Sequence, residues 1–541
     1  MVGVKPVVPV PIPSEPRARH GARVLLVGRY HGIRGKYRDL QKAIDAARPG
    51  DWILVGPGDY RRSANRPMAA AKGDDRAGAE FVVNMPGIHI RGMNRNRVWL
   101  DGTRSGPRCS PRARDQNFGR RDRAGNPEGR SGLVVYKVSG VSIENLSACN
   151  FLSGDQGGGD AIWFDGGGAS GEQTTESFRG AYLTATSTFW AGASAPSATY
   201  GIYSSNTAGG PGVFVHDYAS NFSDSAFYVG ACPACAVILD AIHGEDSPEG
   251  FSGTNSGDIV IENSEFDHNR DGFDTNSQNN DDAPSPQDGT CPAGAVNPRV
   301  PENIERIHSC WVFEDNYVHD NDNPNVPATG VVYNIPTGTG LSVYGGRHDI
   351  VTHNRFVNNG AWGILLAPEP DMETPPPGLG EHCQGGSNLI LSGQGVCYFD
   401  DFANEIANNT FTHDGYFANA GNADIAEISG DTPNSSSDGN CFHDNVDTAG
   451  PLTSQPANID SYKHCGQNYS GETLAGPVGL QLACGSRYFG SCPSGIGANY
   501  PQPTDIVMPF PLSQTTMPSP CAGVPSNRWC RRQRRRGRSR T

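Results

Sequence analysis

The sequence predicts an all-β protein, a solenoid in which short strands stack coil upon coil in parallel, closed at its start by a short helix. Three observations predict it. Apolar runs are only three to five residues long and end in Gly, Asn or Asp. From about residue 213 they recur with steps of 24 and 22 residues. Gly (69) and Pro (41) are abundant while A, V, I, L, M, F, W, Y and C supply only 36% of 541 residues, which suits a loop-rich β protein. A β-propeller blade needs about 40 residues, and helical repeats need an apolar helical stripe that these segments lack. Collagen is excluded by the absence of a Gly-X-Y period. No apolar run approaches the roughly 18 to 20 residues of a membrane-spanning helix.

Each element follows in order. Residues 1–20 are Pro-rich and predict a disordered arm. Over 37–48, Leu40, Ala43, Ile44 and Ala47 fall at helical spacing and Pro49-Gly50 ends the helix, which is placed to cap the open end of the solenoid. Short strands with turn signals follow at 51–55, 87–92, 98–102, 133–138 and 141–145. Segments 217–228, 241–252 and 263–274 then align without gaps, so that Phe227, Phe251 and Phe273 coincide, each behind a small residue (Ala226, Gly250, Gly272). A second motif, Asn-x-(Phe/Val), begins at Asn316, Asn354, Asn409 and Asn440 and predicts stacked asparagines at a coil corner. The solenoid is expected over 21–446, an irregular Cys- and Pro-rich region over 447–530, and a basic disordered tail over 531–541.

The run YRDLQKAIDAARPGDWILVGPGDY, followed by GIHIRGMNRNRVWLDG and LVVYKVSGVSIENLSACNF, resembles the start of right-handed parallel β-helix proteins of the pectin lyase-like superfamily. The resemblance covers 37–151 and continues through the coils to about 446. It implies a right-handed β-helix and a carbohydrate-active or glycan-binding protein, since the superfamily holds polysaccharide lyases, glycoside hydrolases, uronan epimerases and non-catalytic surface proteins. The polygalacturonase motif set is present only as fragments, Asp281-Asp282 and His243-Gly244, in the wrong order. The epimerase motif has a loose echo in Gly272-Phe273-Asp274-Thr275.

Charge narrows the partners. Residues 1–130 carry 26 Lys and Arg against 12 Asp and Glu, and the tail after Cys530 carries 7 Arg, whereas 131–530 has 10 basic and 45 acidic residues, a net −35. Such a body repels nucleic acid and favours neutral glycans or metal cations. Fourteen cysteines point to an oxidising compartment, extracellular or at the cell surface, although no signal peptide is visible at Met1. Short spacings suggest local disulfides at Cys232/Cys235, Cys383/Cys397, Cys441/Cys465, Cys484/Cys492 and Cys521/Cys530.

The densest polar cluster spans 262–282. In the gap-free alignment Asp271 falls on Glu249, and Asp274 on Ser252 and Tyr228. Neighbouring coils lie about 4.8 Å apart, so Asp271, Asp274 and Glu249 are candidate acid/base residues of a polysaccharide hydrolase or lyase. Arg270, His268 and Tyr228 are candidate substrate-binding groups, and Asp281 and Asp282 candidate ligands for Ca2+. The alternative is a non-catalytic surface module that binds glycan or calcium. His319, His413 and His443 each adjoin an acid and offer a metal strip or polar turns. Trp163, Phe164, Trp190, Tyr200, Tyr203, Trp362 and Tyr398 divide between sugar-stacking platforms and core.

Overall fold

A computed structural model describes residues 16–68, 77–167, 174–207, 210–232, 234–278, 311–371, 383, 386–391, 394–401, 403–428, 439–463, 473–486, 496 and 499–531. Asp281, Asp282, residues 1–15 of the N-terminal arm and all but one residue of the basic tail lie outside the described residues.

The chain is a right-handed parallel β-helix. Among the described residues, each coil after the first contributes one strand to each of three long parallel sheets, and the first contributes a strand to the first sheet. The first sheet has 12 strands, from Val24–Val27 to Cys441–His443; the second has 11, from Gly58–Tyr60 to Val446–Asp447; the third has 11, from Ala79–Val83 to Ser454–Gln455. One coil shows the plan: Ile259–Glu262 in the first sheet, Glu265–Asp267 in the second, Asp271–Asn276 in the third. Asn263 and His268, both at positive φ, turn the two corners between them. Corners this tight need the left-handed conformation, which Asn tolerates better than most residues.

The aligned phenylalanines stack inside the solenoid. Phe227 pairs with Phe251, and the rings of Phe251 and Phe273 lie 4.5 Å apart and 7° from parallel. The small residue before each has a steric cause. A Cβ on Gly250 would sit 2.5 Å from the Gly272 carbonyl oxygen, and one on Gly272 2.5 Å from that of Gly340. Backbone there approaches too closely for a side chain.

The asparagine ladder is present with one rung reassigned. Asn316 donates to Asn354 Oδ1 (3.1 Å), Asn354 to Asn409 Oδ1 (3.0 Å) and Asn409 to Asn445 Oδ1 (3.1 Å). Asn440 stands at a different corner, where its Oδ1 accepts from the Asn404 backbone N–H. A second ladder joins Asn269, Asn321, Asn359 and Asp414. Asn354 also donates to Phe313 O and accepts from the Asn316 backbone N–H. Asn354→Ala should therefore leave several buried groups unpaired and cost about 2–4 kcal/mol, to be read from denaturant unfolding; Asn358→Ala, one corner away and half-buried, should cost much less.

The predicted helix forms over Leu40–Asp45, shorter than 37–48 because Asp39 caps its start by accepting from Gln41 and Lys42 N–H. Leu40, Ala43 and Ile44 are fully buried against the first coil. Gln41 acts as a substitute strand: its amide donates to Val82 O and accepts from Val82 N–H, pairing the exposed edge of the third sheet.

Beyond the last coil, helix Pro477–Ser486 lays Val478 and Leu482 on Trp362, Leu365 and Ala426. Residues 499–531 then run back along the whole solenoid. Thr504 N–H binds Asn325, Pro509 O accepts from Asn221, Gln514 exchanges hydrogen bonds with Asn96, and Thr516 binds Asn145. The strap ends with Trp529, fully buried, donating to Ile33 O beside the first coil.

Disulfides join Cys232–Cys235, Cys383–Cys397 and Cys521–Cys530, as the short spacings predict, and also Cys109–Cys149, 40 residues apart, which coil stacking brings together. Cys441 and Cys484 are disulfide-bonded as well. Among the described residues no helix is long and apolar enough to cross a membrane.

Candidate functional site

The outer face of the third sheet carries the candidate site. Along its strands alternate residues enter the core, Ile202 and Phe227 among them, while Tyr203 and Tyr228 project the other way. Trp163 pairs in register with Tyr203, and Tyr203 with Tyr228. The Trp163 and Tyr203 rings stack at 5.1 Å and 4°, and Tyr200 and Tyr228 meet at 5.0 Å. This aromatic strip leads to the coil that carries the acids. Trp163 and Tyr228 in this strip are themselves largely buried and Tyr200 and Tyr203 half-buried, while Phe164, Trp362 and Tyr398 are buried almost completely.

Glu249 lies opposite Asp271 in the strand register. Ser342 pairs with Asp274 one coil further on. Exposures of 4%, 2% and 4% for Glu249, Asp271 and Asp274 mean that three carboxyls share a nearly dry site. Ser342 Oγ lies 2.7 Å from Asp271 Oδ2 and 2.8 Å from Asp274 Oδ1. Its single proton is thus shared between the two carboxyls. Asn276 donates to the remaining oxygen of Asp274.

Burial raises the pKa of all three carboxyls. Burial, then repulsion from Asp274, Asp224 and Asp271, raises Glu249 well above the ordinary carboxyl range. Burial and Asp274 do the same to Asp271. Burial pushes Asp274 up only to about 6, because Asn276 and Ser342 stabilise its anion. Asp274 is the carboxyl of the three whose anion receives hydrogen bonds from two side chains, Asn276 and Ser342. A carboxyl that binds its proton more tightly when folded contributes stability that is complete below the unfolded carboxyl value near 4 and is lost as pH rises through the folded value. Asp274→Asn should thus gain stability relative to the unsubstituted chain as pH rises from about 4 to 7. Paired melting curves at each pH test this; a gap independent of pH counts against the assignment.

Of the other predicted site residues, Tyr228 joins the aromatic strip. Arg270 donates to Tyr333 O and Pro324 O and sits over the Tyr333 ring. His268 turns the corner from the second sheet to the third, and its Nδ1 pairs with Asp267 at the end of the second-sheet strand. His319 closes a strand of the second sheet, His413 lies just past the next but one, and His443 is in the first sheet, so the three histidines form no single column. The sequence reading missed Ser342, whose role is visible only once Asp274 and the coil after the insertion are in register.

No protein-family model and no curated protein matches the chain. Solved structures do. The A-module of the Azotobacter vinelandii mannuronan C-5 epimerase AlgE6 is similar at 14% identity and a TM-score of 0.41, over 75% of this chain and 94% of that one. The A-module of AlgE4 from the same organism is similar at 13% identity and a TM-score of 0.36, over 75% and 90%. Pectate lyase Pel9A is similar at 13% identity and a TM-score of 0.32, over 72% and 76%.

Proposed function

We propose that the chain is an extracellular glycoside hydrolase that cleaves a neutral or weakly charged polysaccharide laid along the third sheet. The observation that carries this reading is the carboxyl trio Glu249, Asp271 and Asp274, nearly dry and bridged by Ser342, at the end of the aromatic strip. Glu249 serves as general acid to the glycosidic oxygen. Asp274 serves as nucleophile or as base to a water, and Asp271 positions it through Ser342. The net −35 of the body disfavours a uronate chain, so hydrolysis is favoured over a lyase reaction. The disulfides support an extracellular site of action.

A panel of polysaccharides, with and without calcium, reading new reducing ends and the ultraviolet absorbance of unsaturated uronates, tests the reading. Reducing ends without unsaturated products support hydrolysis; unsaturated products overturn it in favour of a lyase. The burial of the trio favours one second reading, a non-catalytic glycan-binding module in which these oxygens hold Ca2+. Silence across the panel with a calcium-dependent rise in Tm, lost in Asp271→Asn, would select it.

A further inference from the structure

We propose that the second sheet carries a binding site for a divalent transition-metal ion of the zinc type, formed by His243, Glu245 and Asp267. The site lies around the corner from the carboxyl trio and is independent of the hydrolase reading.

The register brings the ligands together. His243 pairs with Glu265, and Glu245 with Asp267, across adjacent coils. His243 Nε2 lies 2.5 Å from Asp267 Oδ1 and 3.6 Å from Glu245 Oε2. One nitrogen and two carboxylate oxygens thus converge, all within 4.8 Å of one another. Around a tetrahedral zinc with bonds near 2.0 Å, ligand atoms stand about 3.3 Å apart, so small side-chain rotations suffice to admit the ion. An imidazole in the set favours zinc-type ions over calcium and magnesium, which take oxygen ligands.

Neighbours hold these groups in place. Tyr218 donates its hydroxyl to Glu245, and its ring packs edge-on against His243 at 5.4 Å. His268 binds the second oxygen of Asp267, leaving Oδ1 for the metal side. Such outer partners orient metal ligands. The strands are paired on both sides in an 11-stranded sheet, which gives a rigid frame.

A second set on the same face, Glu265, Asp267 and His319, shares Asp267. There both imidazole nitrogens are already engaged, Nε2 with Glu265 at 3.1 Å and Nδ1 with Asp320 at 2.7 Å, and Tyr317 stacks on the ring at 3.9 Å. Both sets fall within 4.8 Å, but among the described residues His243 Nε2 has two carboxylates within 4 Å whereas His319 Nε2 has one, so the ion is assigned to the His243 set.

The test is calorimetric titration of the full chain, stripped with chelator, with Zn2+ alone, and the visible spectrum with Co2+ alone. Expected are one ion per chain, a rise in Tm with Zn2+, at least tenfold weaker binding in His243→Ala and Asp267→Asn, and near-unchanged binding in His319→Ala. Circular dichroism and the chelator-treated Tm show whether each variant folds. Should a variant fail to fold, the Co2+-shifted histidine proton resonances of the unsubstituted protein decide, since one imidazole must be ligated. No binding, binding unchanged in both His243→Ala and Asp267→Asn, or loss in His319→Ala alone would overturn the proposal.

Discussion

Asp274→Asn is expected to lower polysaccharide hydrolysis by about 10²–10⁴-fold, the range of a lost general base or nucleophile, while the protein remains folded. Asn retains the shape and accepts the Ser342 hydroxyl, but it cannot take a proton or attack. Glu249→Gln should lose a similar factor for a natural leaving group and much less for an activated aryl glycoside, whose departure needs little acid assistance. Asp271→Asn separates positioning from chemistry. Its amide keeps an oxygen that can accept from the Ser342 hydroxyl as the carboxyl does, so it should lose less than Asp274→Asn and rescue much of what Asp271→Ala loses. On the proposed reading, the unsubstituted protein should gain activity as pH rises through about 6, when Asp274 ionises, and lose it at higher pH as Glu249 gives up its proton. Equal, pH-independent losses in all three variants would show that the trio only supports the fold.

How much of this was legible depends on what a stacked coil repeats. A residue in register returns at each turn, so Phe227, Phe251 and Phe273 declared both the fold and the pairing of Glu249 with Asp271 before any coordinates. The same alignment places His243 on Glu265 and Glu245 on Asp267, the register the structure shows. Asn440 misled for a physical reason: asparagines serve more than one corner, and each corner is followed by a strand whose second residue enters the core. The fourth rung, Asn445, lacks the following Phe. Insertions broke the rest, since Ser342 stands 68 residues past Asp274. The strap was illegible because Pro-rich chain without periodicity carries no register; its bonds run to corner asparagines such as Asn96, Asn145 and Asn221, whose side chains the sequence assigns no partner.

Glu144→Leu is expected to be the most destabilising single change outside the core, at about 3–5 kcal/mol. Glu144 and Arg91 form an ion pair at 2.7 Å with both side chains fully buried, and Arg179 binds the other oxygen of Glu144 at 3.1 Å. Arg91 also lies over the Trp52 ring at 4.8 Å and donates to Ala522 O at 2.7 Å, so one guanidinium joins the first sheet to the returning strap. Removing Glu144 leaves that guanidinium dry and without its counter-ion. The protein then either pays the desolvation or lets the strap lift so that water reaches Arg91. The second route predicts faster proteolysis within 499–531 at temperatures well below the main unfolding transition. Arg91→Met with Glu144→Leu should recover most of the loss, because a buried pair replaced by apolar side chains of similar volume leaves no charge unpaired, yet the strap should stay loose because Ala522 O has lost its donor. A double variant no more stable than Glu144→Leu alone would mean that packing at position 144, rather than the stranded charge, sets the cost.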